Sequence, residues 1–303
     1  MSAEDAGLAY QIVDAFSERP YAGNPAGVVL DAQGLTAEQM QRVARELNAS
    51  ETVFAGAPAE DGLPVRYFTP TQEVDFCGHA SLALGVAWAL DRRPGAEALP
   101  GQLTLATRAG AVPVELRPHP TCQVEACMTQ ARPRFADFGY RLELLAGALG
   151  LEVAVIPPGW PLGLAYTGLW ALVVPVISVD ALARARPDFV ALADLNRKLG
   201  CASTHLYTLT GDASLVSRDF SPAVGVPEDP VTGSALGATA ALLLKEGALR
   251  KTPPVTRVSA EQGASVGRPG QARIELAEDV QGQLVVRVAG TAVPVARGAL
   301  RRP

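Results

Sequence analysis

The stretch "FCGHASLALGVAWAL", Phe76–Leu90, decides how this chain folds. From Leu82 onward it holds only Ala, Leu, Gly, Val and one Trp. A helix without a polar face has no side to turn to water, so other elements must surround it. Small residues let those elements close tightly on it. Its first turn is different. A cysteine, a glycine and one of the chain's three histidines stand there. Most lone histidines are merely packed or exposed, but this one sits at the mouth of an apolar helix.

The helix has an echo. "SALGATAALL" begins at Ser234, 153 residues after "SLALGVAWAL" begins at Ser81. Each follows a proline-bearing loop, "FTPTQEVDF" in one case and "FSPAVGVPED" in the other. Similarity at a fixed offset is how duplicated domains show themselves. Chance likeness between two Ala-rich helices is the alternative, and the matching loops weigh against it. The pattern therefore predicts an α+β chain of two pseudo-repeated domains. Each is expected to be a curved antiparallel sheet or barrel around one central helix. "RPHPT", Arg117–Thr121, reads as a linker because its two prolines resist regular structure. The expected domains are residues 1–117 and 118–303, with the last strand free to return to the first.

Smaller elements follow from local signals. Thr36 is the expected N-cap of a helix in which Met40, Val43, Ala44 and Leu47 recur at helical spacing. "ETVFAG" and "VRYFTP" read as strands, and "LTLATRAGAVPVEL" as a hairpin around Arg108–Gly110. A helix is expected over Arg141–Leu149, and two or three antiparallel strands at the end of the chain.

Composition limits the function. There are 26 basic and 31 acidic residues, a net charge of −5, which excludes a broad basic footprint for nucleic acid. Four cysteines in 303 residues, none in a CxxC pair, are no disulfide scaffold. The first residues lack a basic segment followed by an apolar one, and "LGLAYTGLWALVV" is too short for a membrane span. The expectation is a soluble cytoplasmic protein. No GxGxxG, GxxxxGK[ST] or GxSxG motif is present, so hydride transfer, phosphoryl transfer and serine hydrolysis lack their usual parts.

The candidate functional residues gather at the two helix starts. Gly78 precedes one; Gly233 and Ser234 precede the other. Helix N-termini expose N–H groups and the positive end of the macrodipole, and glycine lets a ligand approach closely. Such ends suit a carboxylate. An ordinary cap by Thr232 or Ser234 is the competing account. Imidazole ordinarily titrates near neutral pH, so His79 could donate to a substrate or move a proton. Asp229, in "EDPVTGS", is either a cap or a group facing a cleft. Glu228 beside it is expected to be solvated or paired with an Arg. Glu51, at the edge of an apolar strand, either pairs with a cation or has its pKa raised into a range useful for acid–base work. His79 and Cys77 have no second His/Cys cluster to complete a metal site, so none is expected.

"DAFSERPYAGNPAGVVLD", "LNASETVF", "VRYFTPTQEVDFCGHASLALG", "RDFSPAVGVPEDPVTGSALGATAALLL" and "VAGTAVPVARGAL" together resemble the PhzF-like family of phenazine-biosynthesis isomerases. These are relatives of diaminopimelate epimerase and proline racemase. The resemblance implies two β-barrel-like domains with an active site in the cleft between them, a homodimer, and no metal or organic cofactor. It implies that Glu51 is the essential carboxylate and that His79 and Asp229 handle protons. Gly78, Gly233 and Ser234, with Ser50 nearby, would hold the carboxylate of a small metabolite. The epimerase relatives use two facing cysteines, and this chain has Gly78 and Asp229 at the matching positions. Two-thiol racemisation is thereby disfavoured. The expected reaction is transfer of a proton between carbons of a bound acid. The alternatives are an epimerase or racemase using Glu51 and Asp229 as two bases, or a non-catalytic small-molecule binder.

Overall fold

The computed structural model of the protein describes residues 7–91, 99–121 and 123–303. The chain forms two compact units. One comprises the chain up to Thr129 together with Ala289–Pro303, and the other is Gln130–Val288. The units divide after Thr129 rather than after Arg117.

The first unit contains β1 (Leu8–Ala15), β2 (Asn24–Val29), α1 (Ala37–Leu47), β3 (Glu51–Ala55), β4 (Leu63–Phe68) and β5 (Glu73–Val74). Then come α2 (Gly78–Leu90), β6 (Gly101–Thr107), β7 (Gly110–His119) and β8 (Gln123–Thr129). Thr36 caps α1 in a full capping box with Gln39. In sheet order, β1/β2, β3/β4, β6/β7 and β7/β8 are antiparallel, whereas β2/β3 and β4/β6 are parallel. Both parallel pairs are joined by a crossover that carries a helix, α1 in the first and α2 in the second, as parallel neighbours require. The sequence "RPHPT" does not break the chain. Arg117–His119 finish β7, and Pro118 lies opposite Val124. A proline is tolerated in a ladder where its missing N–H is not needed.

The second unit repeats this plan. It contains β9 (Arg134–Asp137), α3 (Leu142–Ala148), β10 (Gly163–Tyr166), β11 (Trp170–Pro175), α4 (Val179–Arg184), α5 (Phe189–Leu199) and β12 (Ser203–Gly211). These are followed by β13 (Ser214–Ser221), β14 (Val226–Asp229), α6 (Gly233–Lys245), β15 (Val255–Gln262) and β16 (Gly270–Glu278). The pairs β10/β11, β12/β13 and β15/β16 are antiparallel; β11/β12 and β13/β15 are parallel. The succession antiparallel, parallel, antiparallel, parallel, antiparallel is that of β1, β2, β3, β4, β6 and β7. The long β17 (Leu284–Leu300) begins in the second unit and ends in the first, where it pairs with β8 and β1 and closes an eight-stranded barrel.

Each unit winds around its own helix. Ala80–Ala89 of α2 are all buried, and the helix packs on β1, β2, β3, β7 and β8. α6 packs on β10, β11, β12 and β16. Each helix has a glycine where a strand approaches. A Cβ on Gly85 would lie 3.1 Å from Val114 Cγ1, and one on Gly237 would lie 3.1 Å from Val286 Cγ1. Both helices have 13 residues, and Gly233 follows Gly78 by 155 positions. The chain is thus an α+β protein of two pseudo-repeated barrel-like units.

Candidate active site

β3 and α2 build the first half of the site. The parallel ladder sets Glu51 beside Ala26, at the very start of β3. Ser50, one residue earlier, donates its hydroxyl proton to the Pro25 carbonyl at 3.1 Å. His79 is the second residue of α2, and its side chain is only 9% exposed. Its Nε2 lies 3.2 Å from Ser50 Oγ and 3.4 Å from Glu51 Oε2. The Ser50 proton is committed to Pro25, so Ser50 Oγ and the Glu51 carboxylate are both acceptors towards Nε2. Those acceptors assign the neutral tautomer protonated at Nε2.

Burial pushes the pKa of His79 below its ordinary value, opposed by the Glu51 carboxylate and by a hydrogen bond with the Pro25 carbonyl. A neutral imidazole therefore stands beside Glu51 near pH 7. Cys77, the N-cap of α2, makes no capping bond with its side chain. Its Sγ lies 3.3 Å from Nδ1 and 4.0 Å from Nε2 of His79, so it sits alongside the ring rather than on one nitrogen lone pair.

The second half lies at the start of α6. Asp229 ends β14, and its Oδ2 accepts a 2.5 Å hydrogen bond from Thr232 Oγ1. Thr232 is the N-cap of α6 by position, yet its side chain caps no helix N–H because it is turned to Asp229. Gln262, on β15 and 2% exposed, locks the turn. Its Nε2 donates to the Asp229 carbonyl at 2.8 Å and to Thr232 Oγ1 at 3.2 Å, while its Oε1 accepts from the Thr232 N–H. Gln262 escaped the sequence reading because nothing local marks a glutamine on a distant strand. Ser234 offers its carbonyl to Thr167 Oγ1 at 2.8 Å. Glu228 is held by Arg218 through two 2.8 Å bonds and is structural.

The structure thus gathers Ser50, Glu51, Gly78 and His79 at one helix mouth, and Asp229, Gly233 and Ser234 at the other. Neither helix has a side-chain cap. The N–H groups of both first turns remain without that partner, which is what a carboxylate ligand requires.

This sequence matches the family described as phenazine biosynthesis-like protein, PhzC–PhzF, over residues 13–298. The chain belongs to that family. An uncharacterised isomerase of Deinococcus radiodurans is 44% identical over 289 residues, covering 93% of this chain and 91% of that protein. The trans-2,3-dihydro-3-hydroxyanthranilate isomerase of Pseudomonas aeruginosa is 38% identical, covering 86% of this chain and 88% of that one. The crystal structure of a PhzF-family protein from Bacillus anthracis superposes with a TM-score of 0.88 at 33% identity, covering 97% of this chain and 98% of that one. A probable proline racemase from Agrobacterium radiobacter shares the fold at a TM-score of 0.64 and 14% identity, covering 96% and 92% of the two chains. Membership makes this PhzF-like protein an isomerase. No helix among the described residues is long and apolar enough to cross a membrane.

Proposed function

We propose that this PhzF-like protein moves a proton between carbons of a small carboxylated metabolite, with Glu51 as the group that removes and returns it. The observation that carries the reading is the Glu51–His79–Ser50 cluster at the uncapped mouth of α2. Glu51 keeps partial exposure, at 21% of its side chain, and its partner is a neutral imidazole rather than an arginine. A carboxylate so placed is available to a C–H proton. His79 Nε2–H then steadies the carboxylate in one rotamer and can supply a proton to a developing enolate oxygen. Asp229 is the second proton-handling group, oriented by Thr232 and Gln262.

In this reading the helix mouths bind the acid. Backbone N–H groups at Gly78, Gly233 and Ser234 bind its carboxylate, and the Ser50 hydroxyl turns from the Pro25 carbonyl to donate to it when the acid is bound. The proton transfer uses side chains alone, without metal or organic cofactor, and the working form is a cytoplasmic homodimer. Acid–base transfer of this kind contributes about 10²–10⁴-fold. Charge stabilisation at the helix ends and orientation of the bound acid provide the remainder. The Pseudomonas aeruginosa relative is named for a cyclic dihydro-hydroxy amino acid, so cyclic and acyclic hydroxy or amino acids are the substrates to test first.

The test is incubation of the protein with carboxylated metabolites in D₂O, read by mass spectrometry. A substrate gains deuterium and yields a positional isomer, and Glu51→Gln loses at least about 100-fold of that rate. Full turnover by Glu51→Gln would remove the reading. Deuterium gain with loss of optical activity and no change of connectivity would replace it with epimerisation. Binding that no exchange accompanies, unchanged in Glu51→Ala, would leave a non-catalytic binder.

A further inference from the structure

The proton-transfer cluster contains one atom type that proton transfer does not use, the Cys77 thiol. One ligating atom each from Glu51, Cys77 and His79 lie within 4.8 Å of one another. We propose that these three side chains form a binding site for a thiophilic divalent cation, Zn²⁺ or a chemical equivalent, whose occupancy switches the enzyme off. The switching part rests on the reading of Glu51 and His79 given above; the binding part does not.

Donor type and geometry both point this way. Thiolate, imidazole and carboxylate are the three ligand classes that zinc takes in proteins. Metal–ligand bonds of about 2.0–2.3 Å in a tetrahedron place neighbouring ligand atoms about 3.3–3.6 Å apart. His79 Nε2 already lies 3.4 Å from Glu51 Oε2 and 4.0 Å from Cys77 Sγ. Closing the set requires the Cys77 sulfur to turn from beside the ring towards the Nε2 lone pair, with a smaller adjustment of Glu51. The three ligands come from two rigid elements, β3 and the first turn of α2, so the folded chain has already met most of the ordering cost. Cys77 is buried and outside any disulfide.

Binding requires two proton shifts. The Cys77 thiol gives up its proton to solvent, and the His79 proton moves from Nε2 to Nδ1 so that the Nε2 lone pair meets the metal. The cation then holds the Glu51 carboxylate and the His79 lone pair together. Neither is left to move a substrate proton. A fourth position stays open to water or to the carboxylate of the acid itself, the arrangement of three protein ligands plus one exchangeable position. Mg²⁺ favours all-oxygen octahedra and should not compete.

The experiment titrates the purified full-length chain with Co²⁺ as a spectroscopic stand-in for Zn²⁺. The expected result is one equivalent bound, with a near-ultraviolet sulfur-to-cobalt charge-transfer band. Zn²⁺ should displace that band, and excess Mg²⁺ should not. Calorimetry with Zn²⁺ in buffers of different ionisation enthalpy should show a proton released on binding. Cys77→Ser should abolish the band, and Glu51→Gln should weaken binding at least tenfold while keeping the band. Glu51→Gln is nearly isosteric, so it tests the site even if Cys77→Ser is poorly folded. A band retained in Cys77→Ser, no effect of Glu51→Gln, or displacement by Mg²⁺ would each overturn the site. For the switch, Zn²⁺ added to the deuterium-exchange assay should stop exchange, and a chelator should restore it. A bound metal that leaves exchange intact overturns the switch alone. Metal binding with no exchange for any acid counts against the isomerase reading and leaves the site standing.

Discussion

Arg218→Met is the most informative single perturbation of the second unit. Arg218 Nε and Nη2 each donate to Glu228 at 2.8 Å, and Nη1 donates to the carbonyls of Leu182 and Ala185 at 3.0 and 2.9 Å. One guanidinium therefore ties β13 to β14 and closes the C-terminal end of α4. The side chains of Arg218 and Glu228 are 7% and 12% exposed, so water can replace little of what is lost. Methionine keeps the aliphatic stem and removes the charge. Breaking a buried pair from one side costs about 3–5 kcal/mol, because the remaining charge is left uncompensated. The residual exposure of Glu228 favours the lower end, about 3 kcal/mol. Urea unfolding followed by circular dichroism measures this. Arg42→Met, whose ion pair with Glu38 is 61% and 76% exposed, serves as the control and should change stability by less than about 0.5 kcal/mol. If the stranded carboxylate causes the loss, Arg218→Met with Glu228→Met should recover at least about 1 kcal/mol of it. A loss below about 1 kcal/mol in the single variant, or no recovery in the double, would refute the reasoning.

Burial holds the His79 pKa below its unfolded value of about 6.5, so the unfolded chain takes up this proton first as pH falls. Stability should therefore decline from about pH 6.5 down to the lowered folded value, and His79→Gln should flatten that decline in urea midpoints measured across the window. His205 and Asp219 form a fully buried pair on β12 and β13 at 3.0 Å. His205→Leu strands the carboxylate with Ser221 as its remaining side-chain donor and should cost about 3 kcal/mol in denaturant melts; a cost under about 1 would contradict the role given to the pair. Gly237→Val adds a branched side chain where a Cβ alone would lie 3.1 Å from Val286 and 3.2 Å from Val288. Overpacking of this kind costs about 1–3 kcal/mol, so a variant as stable as the parent in thermal melts would show that β17 yields to α6.

What was legible in the sequence was what has a local cause. α2 reads as a buried helix because no polar side chain interrupts it after Ser81, and Thr36 reads as a cap because Met40, Val43, Ala44 and Leu47 follow it at helical spacing. The two barrels follow from the echo of one apolar helix. Strand direction was not legible. Alternation reports which face of a strand is buried, and it is the same for parallel and antiparallel neighbours, so the two parallel crossovers in each unit left no mark. Pro118 misled because proline punctuates most chains, yet it fits a ladder position that needs no donor. Glu51 and His79 could be singled out, but their 3.4 Å approach joins residues 28 positions apart and depends on how β3 is laid against β2 and α2. Gln262 depends on a longer-range pairing still.

The repeat explains why the chemistry is asymmetric. Equivalent rungs of the parallel ladders pair Ala26 with Glu51 in one unit and Ala171 with Ser203 in the other. Ser203 is thus the counterpart of Glu51, 152 positions on, and the same offset, which also relates Gly85 to Gly237, sets Val231 at the place of His79. The scaffold devices are kept in both copies. Arg66 on β4 grips Glu73 on β5 through two 2.7 Å bonds, as Arg218 on β13 grips Glu228 on β14. Arg218 follows Arg66 by 152 positions, and each pair fastens the short strand that leads into the central helix. Both copies therefore hold in place a helix start without a side-chain cap, the feature on which the proposed carboxylate binding rests. Only the first carries a carboxylate beside an imidazole at that mouth. If duplication supplied the grip twice and divergence supplied the base once, Ser203→Glu should not create a second proton-transfer centre. Ser203 is 5% exposed, and a carboxylate there would have Val231 rather than a histidine at the matching helix position. Restored deuterium exchange in a Glu51→Gln/Ser203→Glu variant would show that the two halves are chemically interchangeable, against the asymmetry argued from the ladders.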